Sequence, residues 1–345
     1  MMRAVIYHGP NDVRVESVSL PECEEGGLLV KVEACAVCGS DLKTFRRGNP
    51  RMLPPVVMGH EFVGSIVENR AGAAFAEDER VVMATSVACG ECVYCIRGWR
   101  NLCENLRPMG FSFDGGMAEY VAIPSLAVRG GHVIKVPWKV ESLQAALAEP
   151  LSCAVNACRN SRIQPGDMVL VLGAGPMGIL NALTAREAGA AKVMVSEVNP
   201  TRLKQCGPFK FDCLTNPVNE DLSRVVKHET GGVGVDVVIV AAPSALAQEQ
   251  AVSLVRKRGT VCLFASLPIG ESLLRLDSRK IHYGELRVVG TSDSTSAHVA
   301  EAVRMIACAD QSFGRLITHT LGLNDIADAF DLMESGQALR VVLKP

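Results

Sequence analysis

Four cysteines within one short stretch constrain this chain more than any other feature. The spacing Cys89-x2-Cys92-x2-Cys95-x7-Cys103 puts four thiolates in a single loop, where they can close a tetrahedron around zinc, and Gly90 and Gly98 suit the tight turns this requires. With sulfur in all four positions such a zinc can hold a loop but cannot bind a substrate. The bland alternative is four unconnected buried thiols. A nucleic-acid zinc ribbon would need basic and aromatic neighbours, and a net charge of -2 with 5% aromatic residues supplies neither. Residues 1–10, MMRAVIYHGP, lack the tripartite order of a secretory signal. A cytoplasmic protein is therefore expected, whose thirteen cysteines stay reduced and are more apt to bind metal than to form disulfides. Cys35, which forms the spacing Cys35-x2-Cys38 of a potential redox pair, reads as an ordinary buried strand residue.

At 345 residues the chain exceeds what one hydrophobic core usually holds. Up to about Leu151 it is rich in Gly, Pro and short β-branched runs such as Leu28–Val32, Val63–Val67 and Val81–Met83, which predicts a β-rich unit. From Met168 onward apolar strands alternate with helical stretches: 168–172, 192–196, 235–241, 260–264 and 287–289. That alternation implies a doubly wound parallel sheet. After Gly290 come an amphipathic helix carrying Val299, Val303 and Ile306 and a final helix and strand ending at Arg340–Lys344. The apolar stretch 168–185 has the length of a membrane span, but Gly173, Gly175, Pro176 and Gly178 interrupt it, so no membrane role is expected.

The run Gly173-Ala174-Gly175-Pro176-Met177-Gly178 follows a strand and opens a helix predicted over Ile179–Ala188. By itself the motif is weak. The next strand ends in Glu197, nineteen residues after the last glycine, where an acid can bind ribose hydroxyls while the glycines let backbone approach the pyrophosphate. Glu197 followed by Val198 favours NAD over NADP. Arg202 flanks the adenosine or reaches a 2'-phosphate in one reading and lies on a solvated helix face in the other.

Three further clusters, Cys38-Gly39-Ser40-Asp41, Gly59-His60-Glu61 and Glu149-Pro150-Leu151-Ser152, precede the nucleotide motif. Taken with the quartet and the glycine run, in this order, they make the chain resemble the zinc-dependent medium-chain dehydrogenases (the alcohol dehydrogenase superfamily) over essentially its whole length. The wording of these clusters is most similar to the sorbitol and polyol dehydrogenase branch.

The resemblance implies an α/β fold: a GroES-like catalytic domain over 1–152 and 291–345, with a structural-zinc lobe at about 86–106, and a Rossmann NAD-binding domain over 153–290. It implies two zinc ions per chain. Cys38 and His60 would bind the catalytic one, with Glu61 and Glu149 completing or exchanging in its shell, Asp41 orienting the His60 ring, Ser40 taking the hydroxyl proton and Arg340 reaching the cofactor pyrophosphate. Elementary chemistry agrees, since a thiolate, an imidazole and a carboxylate leave one tetrahedral position open. Where many relatives carry a relay histidine this chain has Lys43, which leaves the path beyond Ser40 undefined. A homodimer or homotetramer is implied as well.

The expected reaction is reversible, NAD-linked oxidation of a secondary hydroxyl of a polyol, sugar alcohol or cyclitol. The alternatives are an L-threonine 3-dehydrogenase-like enzyme, a sugar-phosphate dehydrogenase using Lys43, Arg46 or Arg47, and, in another class, a non-catalytic zinc and nucleotide binder.

Overall fold

The computed structural model describes residues 1–309 and 312–345. The chain divides into two compact units, residues 1–152 with 293–345, and residues 153–292.

The first unit is built around the strand Leu28–Ala36. It pairs antiparallel with Glu61–Asn69 along nearly its whole length, and on its other edge with Tyr120–Ile123 and the C-terminal strand Arg340–Lys344. The register Val342↔Ala36 and Leu343↔Cys35 is how the end of the chain returns to the first unit. A small sheet of Met2–Gly9, Asp12–Val18 and Val56–Val57 packs as a separate layer. The core between these elements is aliphatic and Met-rich, including Leu28, Val30, Met58, Ile66, Met83, Met109 and Met117.

One polar network penetrates this unit. Glu33, on the central strand, accepts from the Ser65 hydroxyl at 2.6 Å, the Ser142 hydroxyl at 2.5 Å and Arg80 Nε at 3.1 Å. Arg80 is itself buried and donates Nη1 to the Val140 carbonyl at 2.7 Å. Burial by itself would raise the Glu33 carboxyl, but the two hydroxyls and the guanidinium outweigh it and hold it below the ordinary glutamate value. A carboxylate depressed in the folded state contributes stability above its unfolded value near 4.5, and that stability is lost as pH falls through the lower folded value. Glu33→Gln should therefore lower Tm by about 2–4 °C at pH 7, for roughly 1 kcal/mol. The gap between variant and wild type should narrow as pH falls from 6 to 4. Thermal melts across that range check it, and a gap that stays constant would sink it.

The second unit is a six-stranded parallel sheet in the order Cys213–Thr215, Lys192–Ser196, Met168–Leu172, Val235–Val240, Val255–Leu263 and Arg287–Gly290. The inner strands read as unbroken apolar runs because helices cover both faces of such a sheet. The order of the strands reverses beside Met168–Leu172, and that switch point is where ligands bind in doubly wound sheets. The helix after this strand spans Pro176–Glu187, three residues earlier at its start than the sequence suggests. Pro176 explains the difference, since proline's fixed φ suits the first turn and its missing N–H costs nothing there. The strand Cys213–Thr215 was not expected. Among the described residues no helix is long and apolar enough to cross a membrane.

Candidate functional site

Cys38 caps the helix Gly39–Arg47, and its backbone N–H donates to Asp41 Oδ2 at 2.9 Å. This contact closes the turn and fixes Ser40 and Asp41 on its inner side. His60 enters from the opposite strand through Gly59, whose φ is +95°. A Cβ at Gly59 would lie 2.6 Å from Met117 Cγ and 2.8 Å from Cys35 Sγ, so neither conformation nor space admits a side chain. Cys35 is fully buried, as a packing residue would be.

The His60 ring has Asp41 Oδ1 3.5 Å from Nδ1, an ion-pair distance too long for a good hydrogen bond, and Ser40 Oγ 3.4 Å from Nε2. Phe111 tilts against the ring with centroids 5.4 Å apart. Metal-ligating atoms of Cys38, His60 and Glu61 lie within 4.8 Å of one another. Glu61 is completely buried; its Oε2 accepts from Arg340 Nη1 at 2.9 Å, and its Oε1 has no hydrogen-bond partner among the described residues.

Glu149, in the first turn of the helix Ala148–Ser161, stands outside that triplet and instead groups with Cys153 and Asp293. Burial pushes the Glu149 carboxyl up to about 8; nearby His60 opposes this, while Glu61 and Asp293 add to it. Burial opposes a charged His60 too, yet Asp41 and Cys38 hold the ring well above its ordinary value. An orphaned buried carboxylate oxygen, a thiol, an imidazole and surroundings that favour positive charge together fit a zinc ion.

Arg340, expected against the cofactor pyrophosphate, is buried and donates Nη1 to the Val37 carbonyl at 3.1 Å as well as to Glu61. These contacts fix Glu61. Lys43 is exposed, and Arg46 is engaged with Glu334.

The cysteine quartet comes together as spaced. Sγ–Sγ separations are 3.4 Å for Cys89–Cys103 and 3.9 Å for Cys89–Cys95 and Cys92–Cys103. A tetrahedron with Zn–S of about 2.3 Å has edges of roughly 3.8 Å, so the quartet fits the ion. Backbone N–H groups of Cys89 and Asn105 point at Cys103 Sγ, each at 3.3 Å. Backbone hydrogen bonds draw the Cys92 thiol down to about 6, and burial raises Cys95 to about 12. The pairs Ser86↔Pro108 and Val87↔Arg107 form the neck from which this lobe projects.

In the second unit Gly173 has φ +106°, and a Cβ on Gly178 would fall 1.9 Å from the Gly173 carbonyl oxygen. The helix Pro176–Glu187, capped by Gly175 and with Met177 in its first turn, thus starts hard against the strand. Glu197 is buried and accepts from Ala174 N at 2.7 Å and Asn199 N at 2.8 Å, which pins its carboxylate beside the glycine turn. Asn199, not singled out in the sequence, caps the helix Pro200–Gln205 by accepting from Thr201 N and Arg202 N. An Asn directly before a Pro is the signal that could have found it. Arg202 is exposed on that helix.

Two family profiles match, the alcohol dehydrogenase GroES-like domain over residues 24–138 and the zinc-binding dehydrogenase over residues 176–308. The erythritol/L-threitol dehydrogenase of Mycolicibacterium smegmatis is 32% identical, the alignment covering 100% of this chain and 98% of the relative. The chain belongs to the zinc-dependent medium-chain alcohol dehydrogenases. This dehydrogenase is also 32% identical to the L-threonine 3-dehydrogenase of Pyrococcus abyssi, over 94% of the chain and 93% of the relative. A Sinorhizobium meliloti structure assigned to the zinc-binding dehydrogenases and solved with NADP superposes with a TM-score of 0.90 at 32% identity, covering 100% and 99% of the two chains. The protein is accordingly a zinc-type, NAD(P)-linked oxidoreductase with a GroES-like domain and a Rossmann domain.

Proposed function

We propose that this dehydrogenase reversibly oxidises a secondary hydroxyl of a polyol, sugar alcohol or cyclitol to the ketone, with NAD as the preferred acceptor. The observation that carries the reading is the Cys38, His60 and Glu61 triplet with its unpartnered Glu61 Oε1. A thiolate, an imidazole and a carboxylate are the resting ligand set this favours, with Glu149 outside it. Zinc held by these residues would supply a Lewis acid for the substrate hydroxyl, and NAD would supply the hydride acceptor.

The chain's own residues supply the rest. Ser40 Oγ takes the hydroxyl proton. Asp41 faces His60 Nδ1, and Nε2 is turned toward Ser40 Oγ. Arg340 holds one oxygen of Glu61, which fixes the direction of the other. Lys43, exposed, leaves the proton to pass from Ser40 to solvent or to the cofactor ribose.

Glu197 supports NAD, because a carboxylate pinned beside the glycine turn offers acceptors to ribose hydroxyls and repels a 2'-phosphate. The engagement of Arg46 with Glu334 weakens the sugar-phosphate alternative. Thirteen free cysteines support a reducing, cytoplasmic setting. The strand Arg287–Gly290 ends its sheet with Val288 exposed, and Leu273 and Tyr283 are exposed as well, which supports a homodimer or homotetramer.

The test is reduction of NAD and of NADP by zinc-loaded protein over a panel of tetritols, pentitols, hexitols, cyclitols, sugar phosphates and L-threonine. The expected result is turnover of neutral polyols with NAD at least about tenfold preferred. Turnover of L-threonine or a sugar phosphate above every neutral polyol would overturn the substrate reading.

A further inference from the structure

Asp293 is a carboxylate for which the proposed reaction has no use. It adopts φ +57°, in the left-handed region that non-glycine residues seldom enter. Its Oδ1 accepts from the following Ser294 N–H at 2.6 Å. Ser294 Oγ stands 2.6 Å from buried Ser152 Oγ, which donates to the Glu149 carbonyl at 2.5 Å. The turn bearing Asp293 is thus strapped to the turn bearing Glu149, and the two carboxyl groups offer oxygens within 4.8 Å of each other.

Two acids are held close together in a half-buried place, one of them on strained backbone. Ser86 and the cations His60 and Arg51 are near enough to act on the Asp293 carboxyl. Burial raises its carboxyl, the hydrogen bonds lower it, and the net direction is upward. Backbone strain is costly, and such costs concentrate where a ligand is handled.

We propose that Asp293 is the specificity-determining residue of this site. Its carboxylate accepts a hydrogen bond from a hydroxyl or ammonium group on the carbon next to the one oxidised, and it excludes substrates carrying a carboxylate or phosphate there. This rests on the polyol reading of the Cys38, His60, Glu61 and Glu149 site. An ionised carboxylate accepts and never donates, so the groups it recognises are hydrogen-bond donors. The two carboxyl groups offer oxygens within 4.8 Å of each other, a span that the adjacent hydroxyls of one vicinal diol can bridge. A substrate anion would be a second negative charge beside Asp293, and like charge in a half-buried site is a strong rejecting element.

The experiment uses one carbon skeleton, with propan-2-ol, propane-1,2-diol, 1-aminopropan-2-ol and L-threonine as substrates. The proteins are wild type, Asp293→Asn and Asp293→Gly, both replacements being tolerant of the left-handed backbone. Zinc content and Tm establish that each variant is folded. Wild type should show kcat/KM for the diol at least about tenfold above that for propan-2-ol, the value of one charge-assisted hydrogen bond, and L-threonine at least about tenfold below 1-aminopropan-2-ol.

In Asp293→Gly the preference for diol over propan-2-ol should collapse, mainly through a higher KM for the diol. In Asp293→Asn, which keeps an acceptor but loses the charge, discrimination against L-threonine should fall about tenfold while the diol keeps most of its advantage. Folded variants that retain both wild-type ratios would overturn the role of Asp293 and leave the polyol reading standing. Wild type that shows no preference for the diol, or prefers L-threonine to 1-aminopropan-2-ol, would overturn the polyol reading and the proposal with it. The first failure appears in the variants and the second in the wild type.

Discussion

Replacing Cys38 with alanine should lower kcat/KM for alcohol oxidation by at least about a thousandfold, as expected when the Lewis acid loses an anionic ligand and the ion departs. Zinc content should fall from two ions per chain to one, with the fold intact. Cys38 sits at a helix cap whose closing hydrogen bond is donated by its backbone N–H to Asp41, and alanine keeps that donor. The sulfur is therefore removed with little damage to the turn. Glu61→Gln should cost nearly as much, because it weakens both the ligand and the pairing with Arg340 in a fully buried place. Glu149→Gln should cost less, since Glu149 stands outside the triplet. Metal analysis beside steady-state kinetics checks the series. A Cys38→Ala enzyme that kept two zincs and more than about a tenth of its rate would remove Cys38 from the ligand set.

The legibility of the chain varied with how local the determining physics is. Strands Met168–Leu172 and Lys192–Ser196 are readable to the residue, because burial on both faces demands unbroken apolar runs and turns punctuate them sharply. Strand Cys213–Thr215 is three residues long with its central Leu214 exposed, and pairing with Lys192–Ser196 is what makes it a strand. Cys38, His60 and the quartet announce themselves by spacing. That Glu61 rather than Glu149 joins Cys38 and His60 in one cluster depends on Arg340, which the fold brings across 279 positions of sequence to Glu61. Asp293 lies in the plain-looking run Ser292-Asp293-Ser294, and what distinguishes it is left-handed backbone and a hydroxyl chain to the Glu149 turn. Sequence spacing carries neither.

Cys103→Ser should release the second zinc and open the lobe while leaving the catalytic ion in place. The lobe has almost no core of its own: Ala88, Cys95 and Cys103 are its buried residues, with only Cys89, Cys92 and Leu106 packed against them. Val93, Ile96, Trp99 and Leu102 face outward. Apolar burial on this scale cannot order the loop, whereas a structural zinc is worth on the order of 10 kcal/mol in small metal-held domains. Serine has nearly the volume of cysteine but no thiolate, so the buried Cys103 position, which receives the Cys89 and Asn105 amides, would keep its shape and lose its metal. The neck pairs at Ser86 and Val87, the Arg100 bond to the Gly130 carbonyl and the Ala88 N–H to His132 Nε2 then help to hold the lobe. Limited trypsin digestion should therefore cut Cys103→Ser after Arg97 or Arg100 at least about tenfold faster than wild type, since local opening would no longer be opposed by the metal. Cys38→Ala should resist like the wild type, because its loss lies at the other ion. Cleavage in both variants at the same rate, or two zincs retained in Cys103→Ser, would show that the two metal sites are not the independent units their geometry describes.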